Sequence, residues 1–122
     1  MVIFHGEVPQ AILAGAIQQA DALVLYSRYE TFGCVLIEAN ACGVPVIVSD
    51  LPVFHETITE NINGLFVKGD SPVALANAFE YFYLHKNNFN KNEIAMTAKE
   101  KYNYDTVGKE YAAVYSTVIS RK

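Results

Sequence analysis

The sequence has no tryptophan and only two cysteines among its 122 residues. Cys34 and Cys42 stand at a spacing that matches neither a metal site nor a redox motif, so we interpret them as reduced, buried apolar side chains. No apolar run approaches the ~18 residues of a membrane-spanning helix. The first residues also lack the basic and long apolar regions of a signal peptide. These absences predict a cytoplasmic protein without a transmembrane segment.

Basic residues are scarce in the first half of the chain, where Arg28 is the only one in residues 1–67. The same residues hold seven acids, and the whole chain has a formal net charge of −4. No basic stripe is present that could follow a nucleic acid backbone, so we expect no nucleic acid partner. An anionic ligand bound in this half would meet little positive charge from the chain itself.

Apolar runs alternate with helical patterns along the chain, which predicts an α/β fold with a parallel sheet. With 52% hydrophobic and 18% charged residues, the chain is expected to fold as one domain over residues 1–122. The four predicted strands are Val2–His5, Ala22–Leu25, Val46–Val48 and Leu65–Val67. The first three predicted helices run from Pro9 to about Ala20, from about Phe32 to Cys42, and from Pro52 to Ile58. A fourth helix begins at Ser71 and is broken at residues 87–90. A fifth helix follows to about Tyr102, and the last begins at Asp105.

The last helix is predicted to be amphipathic, because its apolar residues recur at spacings of four, three and four. Asp105 can cap it, and its apolar face carries Val107, Tyr111, Val114 and Val118. In the first predicted helix the apolar face is expected to hold Ile12, Leu13, Ala16 and Ala20.

Two carboxylates frame the most informative stretch, the loop and helix from Glu30 to Glu38. Glu38 is the only charged residue between Glu30 and Asp50. Burying an unpaired carboxylate costs several kcal/mol unless a partner donates hydrogen bonds to it. Glu38 is therefore expected either to face solvent from the flank of the helix or to face a pocket that needs an acceptor.

The loop before this helix leaves the carboxyl end of a strand, where ligands bind in open parallel sheets. The N–H groups of Thr31, Phe32 and Gly33 would lie free at the positive end of the helix dipole, which suits an anion. Glu30 would repel a phosphate, but it can accept hydrogen bonds from hydroxyl groups beside one. Acceptors on both sides of an anion site fit a sugar–diphosphate–nucleoside; the alternative is that Glu30 caps the helix and Glu38 lies on its solvent edge.

A metal site is not predicted, because no His, Cys or third acid stands at ligand spacing from these glutamates. His5, His55 and His85 are interpreted as structural or surface histidines. Asp50, which follows the third predicted strand, is expected to serve in a turn.

The residues of this stretch resemble the donor-site signature of GT-B glycosyltransferases, in the large retaining family that includes sucrose and α-mannosyl transferases. Glu56 followed by Asn63, Gly64 and Leu65 resembles the next block of that family, and the opening strand with Gly6 resembles the block before. The similarity covers about residues 2–80. The signature reads Ser27-x-x-Glu30-x-Phe32-Gly33-x-x-x-x-Glu38-Ala39-x-Ala41-x-Gly43-x-Pro45-Val46.

The resemblance implies a role for each matching residue. Glu30 would contact the donor sugar as the catalytic glutamate, the amides of Thr31, Phe32 and Gly33 would meet the diphosphate, and Glu38 would hold the ribose. Ser27 belongs to the same donor-binding signature. Thr31 stands where the family usually has glycine, and its β-branched side chain would narrow the approach.

The resemblance also implies a longer enzyme with two Rossmann-like domains, of which this chain would be the C-terminal part of the donor-binding one. The expected reaction is retaining transfer of a hexose from a UDP-, GDP- or ADP-sugar, with no cofactor beyond this donor substrate. The acceptor-binding N-terminal domain would be a partner. The isolated chain is then expected to be inactive, and the alternative is a non-catalytic binding or interaction module. The parent enzyme could also lie at the inner face of a membrane.

The family's sheet order is 3-2-1-4-5-6, so two strands would separate Val2–His5 from Ala22–Leu25. Without them, the first strand would either pair directly with the second or leave an apolar edge open. An open edge invites pairing with another chain. The expectation is therefore a partial Rossmann-like, three-layer fold with a rearranged four-stranded sheet, or a homodimer across that edge.

Overall fold

Three parallel strands form the sheet of the computed structural model, which describes residues 1–121. The strands are β1 (Leu23–Leu25), β2 (Val46–Ser49) and β3 (Gly64–Val67), in the spatial order β1-β2-β3. Val24 lies opposite Ile47, and Ile47 lies opposite Leu65. All residues of β2 and β3 are buried, as expected for β-branched and apolar runs inside a parallel sheet.

Helices cover both faces of the sheet, which confirms the predicted α/β class with a parallel sheet flanked by helices. Two short 3₁₀ turns, Pro52–Glu56 and Lys86–Asn88, lie between them. Within residues 1–121, no helix has both the length and the apolar character needed to cross a membrane. The helices are α1 (Gln10–Gln19), α2 (Cys34–Ala41), α3 (Pro72–His85), α4 (Lys91–Tyr102) and α5 (Tyr104–Ser120).

The predicted first strand, Val2–His5, is not formed. The sheet therefore has three strands, and the prediction of a fourth was wrong. Its residues are exposed, with Phe4 at 94% of its full accessible surface. A short extended segment becomes a stable strand only when its backbone groups pair with a neighbour. Within the described residues β1 has no strand on its outer side, so the apolar edge stays open.

The core divides into two layers because neighbouring residues of a strand point to opposite faces of the sheet. Val46 and Val48 pack with residues of α1 and α2 and with Phe54. Ile47 packs on the other face with residues of β3, α3 and α4. The first layer also contains Ile17, Leu36 and Ala39, and the second layer also contains Leu65, Phe82 and Ile94.

Two helices differ in detail from the sequence expectation. In α1 the buried residue is Ile17, whereas Ile12 remains 60% exposed. At the start of α5 the cap is Asn103, whose side chain accepts a hydrogen bond from the Thr106 amide at 2.8 Å, and Asp105 lies inside the first turn. The amphipathic pattern of α5 is present, but none of its residues is buried within the described chain.

Gly43 terminates helix α2, as predicted, and its backbone geometry explains why glycine stands there. Gly43 has φ +78°. Its amide donates to the Asn40 carbonyl at 2.8 Å, and the Val44 amide donates to the Ala39 carbonyl at 2.9 Å, which together form a Schellman motif. A Cβ added at Gly43 would lie 2.7 Å from the carbonyl oxygen of Lys91 at the start of α4.

Gly43→Ala is expected to lower the free energy of unfolding by about 2 kcal/mol or more, because it combines left-handed backbone strain with a backbone clash. Urea unfolding of the two proteins measures the difference. The matched control is Gly15→Ala in α1, where an added Cβ meets nothing within 4 Å. That control should be neutral or slightly stabilising. Equal stability of both variants would contradict this account of the α2 terminus.

Candidate functional site

The loop that follows β1 leads directly into α2, and Gly33 sets the geometry of this junction. Helix α2 begins at Cys34, two residues later than predicted, because Gly33 adopts φ +80° and occupies the N-cap position. A Cβ at Gly33 would lie 2.9 Å from Cε1 of Phe54. Glycine is thus required here by the backbone conformation and by the contact with Phe54.

Glu30 is half-buried in this loop and interacts with its own neighbour. Its Oε1 accepts a hydrogen bond from the Thr31 amide at 3.1 Å. Helix α2 has no side-chain cap, so Glu30 does not cap it. Three backbone amides were predicted to be free at this helix start. Thr31 donates its amide hydrogen to Glu30, which leaves the amides of Phe32 and Gly33.

Glu38 lies on α2 one turn beyond the junction and faces solvent. Its neighbours Ala39 and Asn40 are buried, so the apolar character of this helix reflects packing on its other sides. Of the two positions expected for Glu38, the chain shows the solvent-facing one. The carboxylate therefore carries no burial cost.

A cavity of about 790 Å³ lies at the carboxyl ends of all three strands. Tyr26 and Ser27 border it after β1, Ser49 ends β2 beside it, and Val67 and Gly69 border it from β3. Of the predicted donor-binding residues only Ser27 lines this cavity; Glu30, Thr31, Phe32, Gly33 and Glu38 lie outside its lining. Sequence reasoning pointed to the carboxyl end of β1, but it did not identify the cavity walls that come from the ends of β2 and β3.

Two contacts tie together the loops around this cavity. The Tyr26 hydroxyl donates a hydrogen bond to the Gly69 carbonyl at 2.9 Å. Across the same gap, Nε of Arg28 lies 3.5 Å from Oδ2 of Asp70. The Arg28–Asp70 pair is largely exposed and contributes little stability, whereas the Tyr26 contact fixes an aromatic ring in the cavity wall.

Asp50 lies at the rim of the cavity and pairs with two basic side chains. Nε2 of His55 lies 2.6 Å from Oδ1 of Asp50, and Nζ of Lys68 lies 3.5 Å from Oδ2. The His55 ring stacks on Phe66 at 4.1 Å between centroids. The hydrogen bond from His55, with a further contribution from Lys68, holds the pKa of Asp50 below its ordinary value of 3.8 against a smaller opposing effect of burial. Asp50 thus has a charge-pairing role that its predicted turn role did not include.

Within residues 1–121, no group of three or more His, Cys, Asp or Glu side chains stands close enough to hold a metal ion. The groups that the β1–α2 junction and the cavity beside it do offer are carboxylate acceptors, such as Glu30 and Glu38, backbone amides and the guanidinium of Arg28. These groups can bind hydroxyls and an anion.

The sequence model of the family described as Glycosyl transferases group 1 matches residues 1–101. The chain belongs to this family. Among curated relatives, an uncharacterized glycosyltransferase of Methanocaldococcus jannaschii is 34% identical over 117 residues, which are 93% of this chain and 30% of that protein. A D-inositol 3-phosphate glycosyltransferase of Streptomyces griseus is 31% identical over 121 residues, covering 98% of this chain and 26% of that protein.

A solved structure gives the same result for the fold. Sucrose-phosphate synthase from Thermosynechococcus elongatus superposes with a TM-score of 0.84 at 27% identity, over 98% of this chain and 31% of that one. The match confirms the resemblance to the C-terminal part of a GT-B group 1 glycosyltransferase. The chain spans about a third or less of the length of these proteins.

The paired state of Asp50 predicts a specific pH dependence of stability. The pKa of Asp50 is lower in the folded than in the unfolded chain. Asp50 therefore stabilises the fold at pH values above its ordinary pKa of 3.8, and this contribution is lost as the pH falls further. The difference in free energy of unfolding between wild type and Asp50→Asn should be at its full size near about pH 6 and should narrow as the pH falls below 3.8. Urea titrations at several pH values measure this difference, and a difference that stays unchanged down to low pH would contradict the pairing.

Proposed function

We propose that this chain is the C-terminal part of the donor-binding domain of a retaining glycosyltransferase that moves a hexosyl group from a nucleotide-diphosphate sugar. The observation that carries the proposal is the junction of β1 and α2. There a half-buried Glu30 lies beside the N-terminus of α2, whose N-cap is Gly33, in a chain of the group 1 family. The proposed setting is cytoplasmic, with peripheral contact of the parent enzyme to the inner face of a membrane as an option.

Each residue of the junction has a role in this proposal. Glu30, the catalytic glutamate, accepts hydrogen bonds from donor sugar hydroxyls. Its Oε1 holds the Thr31 amide, and the remaining lone pairs of the carboxylate stay available. The amides of Phe32 and Gly33, joined by Thr31 when its bond to Glu30 exchanges, bind the diphosphate. Glu38 accepts from the ribose hydroxyls, and Ser27 completes the donor site.

The proposed chemistry needs no metal and no cofactor besides the donor substrate. Negative charge develops on the diphosphate as the glycosidic bond to it breaks, and the N-terminal end of α2 stabilises that charge. The acceptor oxygen bonds to the anomeric carbon on the same face, and its proton passes to the leaving phosphate. The chain contributes binding, orientation and electrostatic stabilisation.

The remainder of the parent enzyme supplies what this chain has little of. Arg28 is the only base in residues 1–67, so the basic groups that neutralise the diphosphate are proposed to come from the preceding part of the donor domain. Strands from that part would cover the open edge of β1. The acceptor-binding N-terminal domain would close the site. A second copy of this chain is the alternative occupant of the edge.

A non-catalytic module of the same fold is the second candidate. Two observations favour it: the Thr31 amide is already engaged by Glu30, and Arg28 is the only basic residue in residues 1–67. Such a module would keep the shape of a donor site without binding nucleotide sugars.

Calorimetric titration of the chain with UDP, GDP and ADP separates the two candidates. A donor site should saturate with one of them, and Glu38→Ala should weaken that binding by about tenfold because a charged acceptor for the ribose is lost. The matched control is Glu80→Ala on the exposed surface of α3, which should leave the affinity unchanged. In the parent enzyme, Glu30→Ala and Glu38→Ala should each lower turnover without unfolding the protein.

Absence of saturable heat with all three diphosphates would favour the non-catalytic module. Wild-type turnover of both glutamate variants would contradict the assignment of the donor site.

A further inference from the structure

We propose that Glu30 makes the junction of β1 and α2 selective for a sugar nucleotide over the free nucleoside diphosphate. Its carboxylate takes the place of an anion at the junction whenever no sugar is bound to it. The inference rests on the proposed function, because it concerns the same donor site. It gives Glu30 a second task besides contact with the sugar, which is to compete with the diphosphate that remains after transfer.

The carboxylate of Glu30 already occupies part of the diphosphate site. Its Oε1 accepts the amide hydrogen of Thr31 at 3.1 Å. Thr31 directly precedes Phe32 and Gly33, whose amides lie at the positive end of α2. Backbone amides at a helix N-terminus bind a carboxylate or a phosphate in the same way. The two anions therefore exclude each other from the Thr31 amide.

No basic side chain neutralises the charge of Glu30. The ion pairs within residues 1–121 involve other acids, and Arg28 extends toward Asp70, with Nε 3.5 Å from Oδ2. A phosphate on the Phe32 amide would lie one residue away from the amide that Glu30 holds. At a separation of about 4 Å, two like charges lower an affinity about fivefold even at the dielectric constant of water. A bare diphosphate thus meets both a blocked amide and an unpaired negative charge.

A donor sugar removes this conflict. Its hydroxyl groups donate hydrogen bonds to the Glu30 carboxylate, which can then leave the Thr31 amide to a phosphate oxygen. A bare diphosphate brings no hydroxyl group of a sugar to this position, so it must displace the carboxylate without compensation. The junction therefore prefers a ligand that carries both a diphosphate and a sugar.

The same contact promotes release of the product. Transfer breaks the bond between the sugar and the diphosphate, and the sugar hydroxyls leave Glu30 together with the glycosylated acceptor. The carboxylate then returns to the Thr31 amide, as in the ligand-free chain, and repels the diphosphate that remains.

The test compares wild type with Glu30→Gln, which removes the charge and keeps the shape of the side chain, by calorimetric titration in a low-salt buffer. The probes are inorganic pyrophosphate, the diphosphates UDP, GDP and ADP, and the sugar nucleotides UDP-glucose, GDP-mannose and ADP-glucose. Glu30→Gln should bind pyrophosphate and the preferred diphosphate about threefold to tenfold more tightly than wild type. The ratio of the dissociation constants, diphosphate over sugar nucleotide, should fall by at least about the same factor, because a neutral amide is the weaker acceptor for sugar hydroxyls.

The matched control is Glu80→Gln on the exposed surface of α3, which makes the same change of charge away from the junction. It should bind every probe as wild type does. The melting temperatures of both variants should stay close to that of wild type, so that a change in affinity reports on the junction and not on unfolding.

Three results would overturn the proposal: equal or weaker binding of the diphosphate by Glu30→Gln, a ratio of dissociation constants that stays at the wild-type value, or an equal gain in Glu80→Gln. With saturable binding by wild type, each of these leaves the donor site standing. No saturable binding of any probe by either wild type or Glu30→Gln would reject the donor site and this task of Glu30 together. Binding of a diphosphate by Glu30→Gln alone would support exclusion of the anion by the carboxylate and favour the non-catalytic module.

Discussion

Strand β2 is paired on both sides and buried along its length. The positions of the loops at the carboxyl end of the sheet depend on it. Val46 and Val48 point into one core layer and Ile47 into the other, so a slip of one residue would exchange the two faces. On one side β3 approaches closely because Gly64 has no side chain; a Cβ there would lie 2.7 Å from the Val46 carbonyl oxygen. This fixed register brings the carboxyl ends of the three strands to one edge, where the β1–α2 junction and the strand-end cavity lie.

A pair of asparagines, Asn40 buried and Asn63 half-buried, connects this sheet to the helix that carries Glu38. The side-chain amide of Asn40, in α2, donates to the Val44 carbonyl at 3.0 Å and to the Asn63 carbonyl at 3.1 Å. The Asn63 side chain donates back to Oδ1 of Asn40 at 3.0 Å. Buried polar groups that satisfy one another restrict how the elements can move. The pair thus holds the C-terminal half of α2 against the turn that precedes β3.

Local sequence patterns were sufficient to predict β1, β2 and β3 and the helices between them, because each is marked by its own residues. Asn63 and Gly64 marked the start of β3, and Ser71 with Pro72 marked the start of α3, where the Ser71 side chain accepts from the Ala74 amide. The approximate position of the loop that carries Glu30 followed in the same way, because it lies between a strand and a helix.

Features that depend on distant residues could not be predicted in this way. Val2–His5 has a strand-forming sequence, but strand formation needs a partner that the described chain does not provide. The pairing of Asp50 depends on a histidine and a lysine from different elements. The alternation of strands and helices pointed to the carboxyl ends of the strands as the binding edge, but the cavity's lining comes from three strand ends that are far apart in the chain.

We propose that the junction of β1 and α2 binds the diphosphate of a sugar nucleotide. The most direct test is a crystal structure of the chain grown with the nucleoside diphosphate that binds best. Phosphate oxygens are expected within hydrogen-bonding distance of the Phe32 and Gly33 amides, with the ribose hydroxyls at Glu38. A nucleotide bound in the strand-end cavity, with the junction left empty, would contradict it.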